Sequence, residues 1–190
     1  MAIVLASQSP RRQELLRRIG IENFKTLSLD IDESYPAGLS PEDTVRYIAA
    51  KKSDAAAREC APDDLIITAD TMVFLKNDRL GKPRDEEDAF RMLRELAGSR
   101  HTVCTGVSVR RGAQYESFAV STGVYFRPCT DDELRAYIRT GEPMDKAGAY
   151  GVQSRGALFV ERIDGDFFNV MGLPVEQLGL VLARFGVKLL

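Results

Sequence analysis

The 190-residue sequence has one histidine and three cysteines, and this scarcity excludes several kinds of site. With His101 alone there is no multi-histidine metal site, and a Ser-His-Asp triad would depend on one residue in a strand-like stretch. Cys60, Cys104 and Cys129 lie far apart and lack the Cys-x-x-Cys spacing of zinc or redox sites. We interpret them as reduced thiols of a cytoplasmic protein. Catalysis is therefore expected to depend on carboxylates and lysines.

Long hydrophobic runs and a broad basic excess are also missing. The apolar run 2–6 is too short for the core of a signal peptide, and positive charges follow it rather than precede it. No stretch approaches membrane-spanning length, so no membrane partner is expected. The formal net charge of -2 argues against a nucleic acid polymer as partner, because such binders usually carry an excess of basic residues. The basic residues are expected to act locally.

The first predicted helix carries charges that its position disfavours. Ser9 is its candidate N-cap, Pro10 suits the first helical position, and Gly20 ends it. Arg11 and Arg12 follow in the first turn, where the helix dipole makes an exposed cation unfavourable by about 0.3–1 kcal/mol. The other Ser-Pro helix start and two further starts are acidic, at 42–43, 85–88 and 131–133.

This arrangement suggests an anion site at the start of the helix. Free backbone N–H groups, the positive end of the dipole and two guanidinium groups together suit phosphate oxygens, which arginine binds in a bidentate manner. The alternative is that both arginines are solvated on the surface of the helix.

Two carboxylates are candidates for catalysis or metal binding. Asp70 follows the hydrophobic stretch 65–69, at the strand end where open α/β sheets place ligand groups, and a charge there is costly unless it is paired or coordinated. Glu33 follows Asp30 and Asp32 at the end of the predicted second strand. Oxygens from both places would suit hydrated magnesium and a phosphate substrate, although 30–33 taken alone also fits a solvated loop.

Two lysines and a glutamine complete the candidates, each with a structural alternative. Lys52 lies on the apolar side of its predicted helix, where its ammonium group either reaches solvent or enters a site. Lys82 stands between a glycine and a proline, as a positioned lysine or an ordinary loop residue. Gln153 ends the small-residue segment 145–153 and could pair with the N–H and carbonyl of a uracil or thymine edge, unless the segment is only a structural turn.

Helical and strand patterns alternate along the chain, and two hairpins interrupt them, which predicts an α/β fold with a mixed sheet. The second strand is predicted at 27–31 and a turn at 76–79. The hairpins are predicted from 103–109 with 118–126, and from 158–163 with 167–170. No linker separates residues 1–190, which we predict to be a single domain.

The order and spacing of several motifs closely resemble the Maf family of nucleoside triphosphate pyrophosphatases, from the first strand to the last helix. The motifs are Ser7-x-Ser9-Pro10-Arg11-Arg12, Ala69-Asp70-Thr71, Gly81-Lys82-Pro83, the run from Glu142 to Gln153, Gly165-Asp166 and the run from Val170 to Pro174.

The resemblance implies a fold like that of inosine triphosphate pyrophosphatases, with an elongated mixed sheet flanked by helices and two lobes that share it around a central cleft. It also implies homodimers. Family members use a divalent cation, Mg²⁺ or Mn²⁺, to split a nucleoside triphosphate into monophosphate and pyrophosphate. The segment 144–153 resembles the branch that acts on dTTP and UTP, whereas the sister branch favours 7-methyl-GTP.

The resemblance also implies a role for each matching residue. Asp70 would accept the proton and, with Glu33, bind the metal. Substrate choice would depend on Arg11, Thr71 and Gln153. The phosphate groups would contact Ser7, Arg11, Arg12, Lys52 and Lys82. Two positions depart from the family pattern, namely Ser154, where a glycine is often found, and the run 51–53 in place of a lysine-alanine pair.

Two other activities are compatible with these motifs. One is a nucleotide-binding regulator of cell division and septum formation that requires no catalysis. The other is a phosphatase that removes only the terminal phosphate. Within the pyrophosphatase interpretation, the substrate is either a normal pyrimidine triphosphate or a modified one, and the alternative is 7-methyl-GTP, as in the sister branch.

Overall fold

The computed structural model describes residues 1–76 and 78–190, which form an α/β fold with a mixed sheet of seven strands. The strands are β1 (Ile3–Leu5), β2 (Phe24–Thr26), β3 (Leu65–Leu75), β4 (Asp78–Leu80), β5 (Arg100–Arg111), β6 (Gln114–Phe126) and β7 (Val160–Asp164). Their order is β2-β1-β3-β5-β6-β7, and β4 pairs with β3. β1 is parallel to β2 and β3, whereas β4 and β7 run antiparallel to their partners. The predicted mixed α/β class is confirmed.

The helices are α1 (Pro10–Arg18), α2 (Pro41–Ala57), α3 (Glu86–Leu96), α4 (Asp131–Ile138), α5 (Phe167–Met171) and α6 (Val175–Arg184). Short 3-10 segments lie at Glu142–Asp145, Ala147–Ala149 and Arg155–Phe159. None of the helices in the described part of the chain has the length and apolarity needed to cross a bilayer.

The chain divides into two compact units. Unit 1 comprises Met1–Asp70, Thr105–Val120 and Gly172–Leu190, and unit 2 comprises Thr71–Cys104 and Ser121–Met171. The strands β3, β5 and β6 contribute residues to both units. That residues 1–190 act as one domain of two lobes stays a prediction.

In unit 1 the helix α2 approaches the sheet closely. The Thr68 hydroxyl of β3 donates a 2.7 Å hydrogen bond to the Ala49 carbonyl of α2, with both residues buried. At Gly106 of β5, an added Cβ would lie only 2.3 Å from the Val45 carbonyl carbon and oxygen. The absence of a side chain at this glycine therefore lets the backbones of α2 and β5 pack together.

Two predicted strands are wrong in position or type. The second strand lies at Phe24–Thr26 rather than at 27–31, because β1 ends at Leu5 and the pairing stops with the Leu27 N–H on the Leu5 carbonyl. Residues 167–170 belong to α5 instead of a hairpin strand, since the Asp166 carboxylate accepts the Phe168 N–H and favours a helical turn. The strand β7 pairs with β6 instead.

The other predicted elements agree with the structure, apart from part of one turn. The helix α2 begins at Pro41 as predicted, the strand β5 is longer than predicted at both ends, and β6 begins earlier than predicted. The turn predicted at 76–79 is wrong at Asp78 and Arg79, which belong to β4 because they pair with Leu75 and Phe74 of β3, and Asn77 lies outside the described residues.

The close approach at Gly106 predicts that Gly106→Ala destabilises the protein. A methyl group facing the Val45 carbonyl forces α2 away from β5, and overpacking of this kind costs about 1–3 kcal/mol in the free energy of unfolding. Urea unfolding measures the change. The matched control is Gly179→Ala in α6, where the added Cβ makes only an ordinary contact, 3.9 Å from Leu189 Cδ1, so stability should stay unchanged or rise. Equal stabilities of the two variants would contradict this account.

Candidate active site

The centre of the candidate site in unit 1 is one lysine between two carboxylates. Lys52 Nζ lies 2.8 Å from Asp70 Oδ1 and 2.9 Å from Glu33 Oε1. The Lys52 and Asp70 side chains are 14% and 10% exposed, whereas that of Glu33 is 49% exposed. The ammonium group therefore enters the site rather than reaching solvent, and residues from a loop, a helix and a strand meet at it. Of the two directions considered for the Lys52 side chain, the structure shows the one towards the carboxylates.

The local fold explains why Lys52 meets Asp70. Thr68 and Asp70 are two residues apart in β3, so both side chains leave the strand on the same face. The bond from Thr68 to Ala49 fixes this face against α2, and Lys52 follows Ala49 by about one helical turn. The same contact that packs the helix on the strand thus brings the ammonium group to the carboxylate.

Asp70 retains one oxygen for a further ligand. Its Oδ1 accepts the hydrogen bond from Lys52, but its buried Oδ2 has no hydrogen-bond partner among residues 1–76 and 78–190. A buried carboxylate oxygen in this state is costly unless something binds it. No group of three or more His, Cys, Asp or Glu side chains within the described ranges could hold a metal ion. The donor set of Asp70 and Glu33 fits Mg²⁺, which commonly binds one or two carboxylates together with water and substrate phosphates.

Arg12 ties the start of α1 to the strand end that carries Asp70. Its Nε donates to the Gly172 carbonyl at 2.8 Å, and its Nη1 donates to the Ala69 carbonyl at 2.9 Å and to Ser7 Oγ at 3.2 Å. Burial lowers the pKa of Arg12 from its usual value, the Asp70 charge opposes this shift, and Arg11 adds to it.

The first turn of α1 differs from the helix starts that carry acids. Ser9 is at the N-cap, but its side chain makes no capping hydrogen bond within the part of the chain described. Instead the Ser9 N–H donates to Ser7 Oγ at 3.2 Å, so this hydroxyl accepts from both Ser9 and Arg12. Ser7, Arg11 and Arg12 therefore gather at one end of the helix in unit 1, as the sequence predicts. Their binding of phosphate stays a prediction.

The remaining predicted site residues belong to unit 2. Thr71 is half-buried in β3 and follows Asp70 directly, Lys82 is exposed in the loop after β4, and Gln153 is exposed in the run 142–153. The Gly148 N–H donates to the Gly81 carbonyl at 3.0 Å, which joins the Lys82 loop to this run.

Glu142 and Tyr137 organise the run that carries Gln153. The Tyr137 hydroxyl donates to Glu142 Oε1 at 2.8 Å and accepts the Gly151 N–H at 3.1 Å. The Glu142 carboxylate also accepts from the Ser154 hydroxyl and the Arg155 N–H. Ser154, which stands where the family often has glycine, therefore stabilises the loop rather than disturbing it.

Sequence reasoning missed a buried polar pair in unit 2. His101 Nε2 and Tyr150 Oη share a hydrogen bond of 2.7 Å, and Phe126 makes edge contacts with both rings. His101 is 1% exposed, and its burial, with the charge of Arg100, lowers its pKa to about 3. The one available signal is a single histidine inside a strand of β-branched and apolar residues. That signal does not identify Tyr150 as the partner.

The fold resembles the structure of a HAM1 protein from Coxiella burnetii, with a TM-score of 0.53 over 97% of this chain and 99% of that one. At 12% sequence identity the likeness concerns the fold alone.

The sequence comparison gives the family. Residues 2–185 match the family model described as Maf-like protein, and the chain belongs to this family. The dTTP/UTP pyrophosphatase of Bacillus velezensis is 46% identical over 98% of this chain and 97% of its own length. That of Syntrophomonas wolfei is 46% identical over 98% of each chain.

The low pKa of His101 predicts how stability depends on pH. Between the unfolded value of 6.5 and the folded value of about 3, the unfolded chain holds a proton that the folded protein does not. The contribution of neutral His101 is therefore complete above pH 6.5 and is lost as the pH falls, by about 1.4 kcal/mol per pH unit. Because His101 is the only histidine, His101→Phe removes this dependence. Urea unfolding of both proteins at pH 7, 6, 5 and 4 measures it, and parallel stability curves would refute the prediction.

Proposed function

We infer that this protein is a nucleoside triphosphate pyrophosphatase that hydrolyses dTTP and UTP to the monophosphate and pyrophosphate. The relatives named dTTP/UTP pyrophosphatase match it over nearly the whole of both chains. The structural observation that supports the proposal best is the Asp70 carboxylate, which is held by Lys52 through one oxygen and keeps a buried second oxygen for chemistry.

The proposed reaction is attack of water on the α-phosphorus. As the oxygen of water bonds to this phosphorus, Asp70 Oδ2 accepts its proton and the bond from the α-phosphorus to the α-β bridging oxygen breaks. The bonding electrons leave with pyrophosphate. Lys52 Nζ holds Asp70 Oδ1 at 2.8 Å, so Oδ2 is the oxygen that remains to accept the proton.

Asp70 and Glu33 are proposed to hold a divalent cation, Mg²⁺ or Mn²⁺. When bound, such an ion polarises the phosphoryl oxygens and makes the attacking water more acidic. Glu33 forms an ion pair with the same ammonium group as Asp70. Because its side chain is half-exposed, it can contact a ligand that enters from solvent. Lys52 would hold both carboxylates in place, in addition to its proposed contact with phosphate.

The phosphate groups are proposed to contact the cationic and hydroxyl groups that the family motifs assign to them. These are Ser7, Arg11, Arg12, Lys52 and Lys82. The positive end of α1 adds to the attraction for a polyanionic chain. Arg11, Thr71 and Gln153 are proposed to set the choice of nucleotide, with Gln153 pairing with the thymine or uracil edge. The homodimer and the cytoplasmic location implied by the motifs belong to the same proposal.

The reaction and the substrate can be tested together. The purified protein is incubated with a panel of nucleoside triphosphates and Mg²⁺ or Mn²⁺, and the phosphate product is identified. We expect pyrophosphate and monophosphate, fastest from dTTP and UTP, and loss of turnover with EDTA. Orthophosphate released without added pyrophosphatase would indicate removal of the terminal phosphate. Nucleotide binding without turnover would indicate a regulator.

The assignment of Asp70 predicts that Asp70→Asn abolishes turnover while nucleotide binding stays largely intact. The amide keeps the shape of the side chain and can still accept from Lys52, but it cannot take the proton from water. Initial rates and titration calorimetry with a non-hydrolysable dTTP analogue measure the two effects. An Asp70→Asn enzyme within tenfold of the parent rate would remove Asp70 from this role.

A further inference from the structure

The pair formed by His101 and Tyr150 has no part in the reaction proposed above. Both residues are buried, at 1% and 6% exposed, and they come from places 49 residues apart in the sequence. Phe126 packs edge-to-face against both rings, and its ring centroid lies 5.0 Å from that of His101 and 4.7 Å from that of Tyr150. His101 Nδ1 has no hydrogen-bond partner among the residues that the structure describes. A hydrophobic pair would fill this space without burying polar atoms, so the hydrogen bond calls for an explanation.

Tyr150 directly follows a strained stretch of backbone in unit 2. Gly148 has a φ of 70° and Ala149 a φ of 60°, so two consecutive residues are in the left-handed region, and the second has a side chain. A non-glycine residue in this region costs about 1 kcal/mol and persists only where its surroundings hold it. Ala149 is fully buried, and a Cβ on Gly148 would lie 3.0 Å from the Val73 side chain. The bend is therefore imposed by packing rather than by local preference.

Two tyrosine hydroxyls hold the chain immediately after this bend. The Tyr150 hydroxyl is fixed by His101, and the next residue, Gly151, donates its N–H to the Tyr137 hydroxyl. Gln153 follows two residues later and is exposed. These two anchors hold the backbone before it, and the Glu142 carboxylate holds Ser154 and Arg155 after it. Of the two, the bond to His101 is the one that ties this segment to the central strand β5.

We propose that His101 is a positioning residue for base recognition, which holds the bend at 148–151 through the Tyr150 hydroxyl and so fixes the place from which Gln153 reads the base. The inference rests on the proposed function. His101 itself contacts no substrate, and its effect is carried by Tyr150 and the backbone that leads to Gln153.

The hydrogen bond can be separated from the packing with three variants. His101→Phe and Tyr150→Phe each keep an aromatic ring but leave one buried polar group without its partner, whereas the double variant removes both polar groups. We expect each single variant to unfold at a lower temperature than wild type and the double variant to regain part of the loss, because no polar group of the pair is then unsatisfied.

Base discrimination is expected to follow a different pattern from stability. The ratio of kcat/KM for dTTP to that for dCTP should fall about tenfold in both single variants and stay low in the double variant, because none of them retains the bond. The loss should be in KM for dTTP, with kcat within about twofold of wild type, since no group at the reacting phosphorus changes. Gln153→Leu gives the full loss of discrimination for comparison.

The matched control is Tyr115→Phe. This substitution also removes a tyrosine hydroxyl that hydrogen bonds to another side chain, Ser108 Oγ at 3.1 Å, but in unit 1. Its discrimination should equal that of wild type. Discrimination that recovers with stability in the double variant would overturn the proposal, because His101 would then act only through packing. Wild-type discrimination in an active His101→Phe enzyme would overturn it as well.

Hydrogen exchange of the segment 147–153 provides a readout that does not depend on turnover. Backbone amides of this segment should exchange faster in both single variants and in the double variant than in wild type, whereas Tyr115→Phe should leave them unchanged. Unchanged exchange in His101→Phe would contradict the proposal that His101 holds this segment in place. Failure of the proposed function is recognised separately, as a wild-type protein that hydrolyses neither dTTP nor UTP.

Discussion

The candidate site depends on a single ammonium group that is shared by two carboxylates. Lys52 lies within 3 Å of oxygens from both Asp70 and Glu33, at 2.8 Å and 2.9 Å, and it compensates the charge of a carboxylate that is almost buried. A buried carboxylate without such a partner would be costly. Glu33 is the second carboxylate at this ammonium group, and it lies on the solvent side because its side chain is half-exposed. The chemistry proposed for unit 1 therefore depends on one ion-pair arrangement.

The backbone that leads into Asp70 is held by hydrogen bonds to two other elements. Two residues before it, the Thr68 hydroxyl binds the Ala49 carbonyl of α2, and directly before it the Ala69 carbonyl accepts a hydrogen bond from Arg12. Arg12 reaches the Gly172 carbonyl as well, so that three separate stretches of unit 1 meet at one guanidinium group. A strand end fixed in this way keeps the carboxylate in position when the charge of a ligand changes nearby.

Elements with a local sequence signal were predicted correctly, whereas elements whose position or type depends on contacts with distant residues were predicted wrongly. The helix α2 was predictable because Ser40, Pro41 and the acids that follow specify a helix start within four residues. The strand β2 was placed too late because the alternation at 27–31 says nothing about where β1 ends. Residues 167–170 have strand-like composition, but a cap by Asp166 and the buried bonds of Asn169 to Val103 and Thr122 select a helix.

The sequence by itself determined the family, the mixed α/β class and the identity of the candidate site residues, because these are carried by motifs and by charges at the ends of predicted elements. The tertiary structure alone decided which of them meet. It turned Lys52 towards Asp70 and Glu33, gave Arg12 main-chain partners and joined His101 to Tyr150. Each of these contacts joins residues at least 18 positions apart, and only the packing of helices and strands brings such residues within hydrogen-bonding distance.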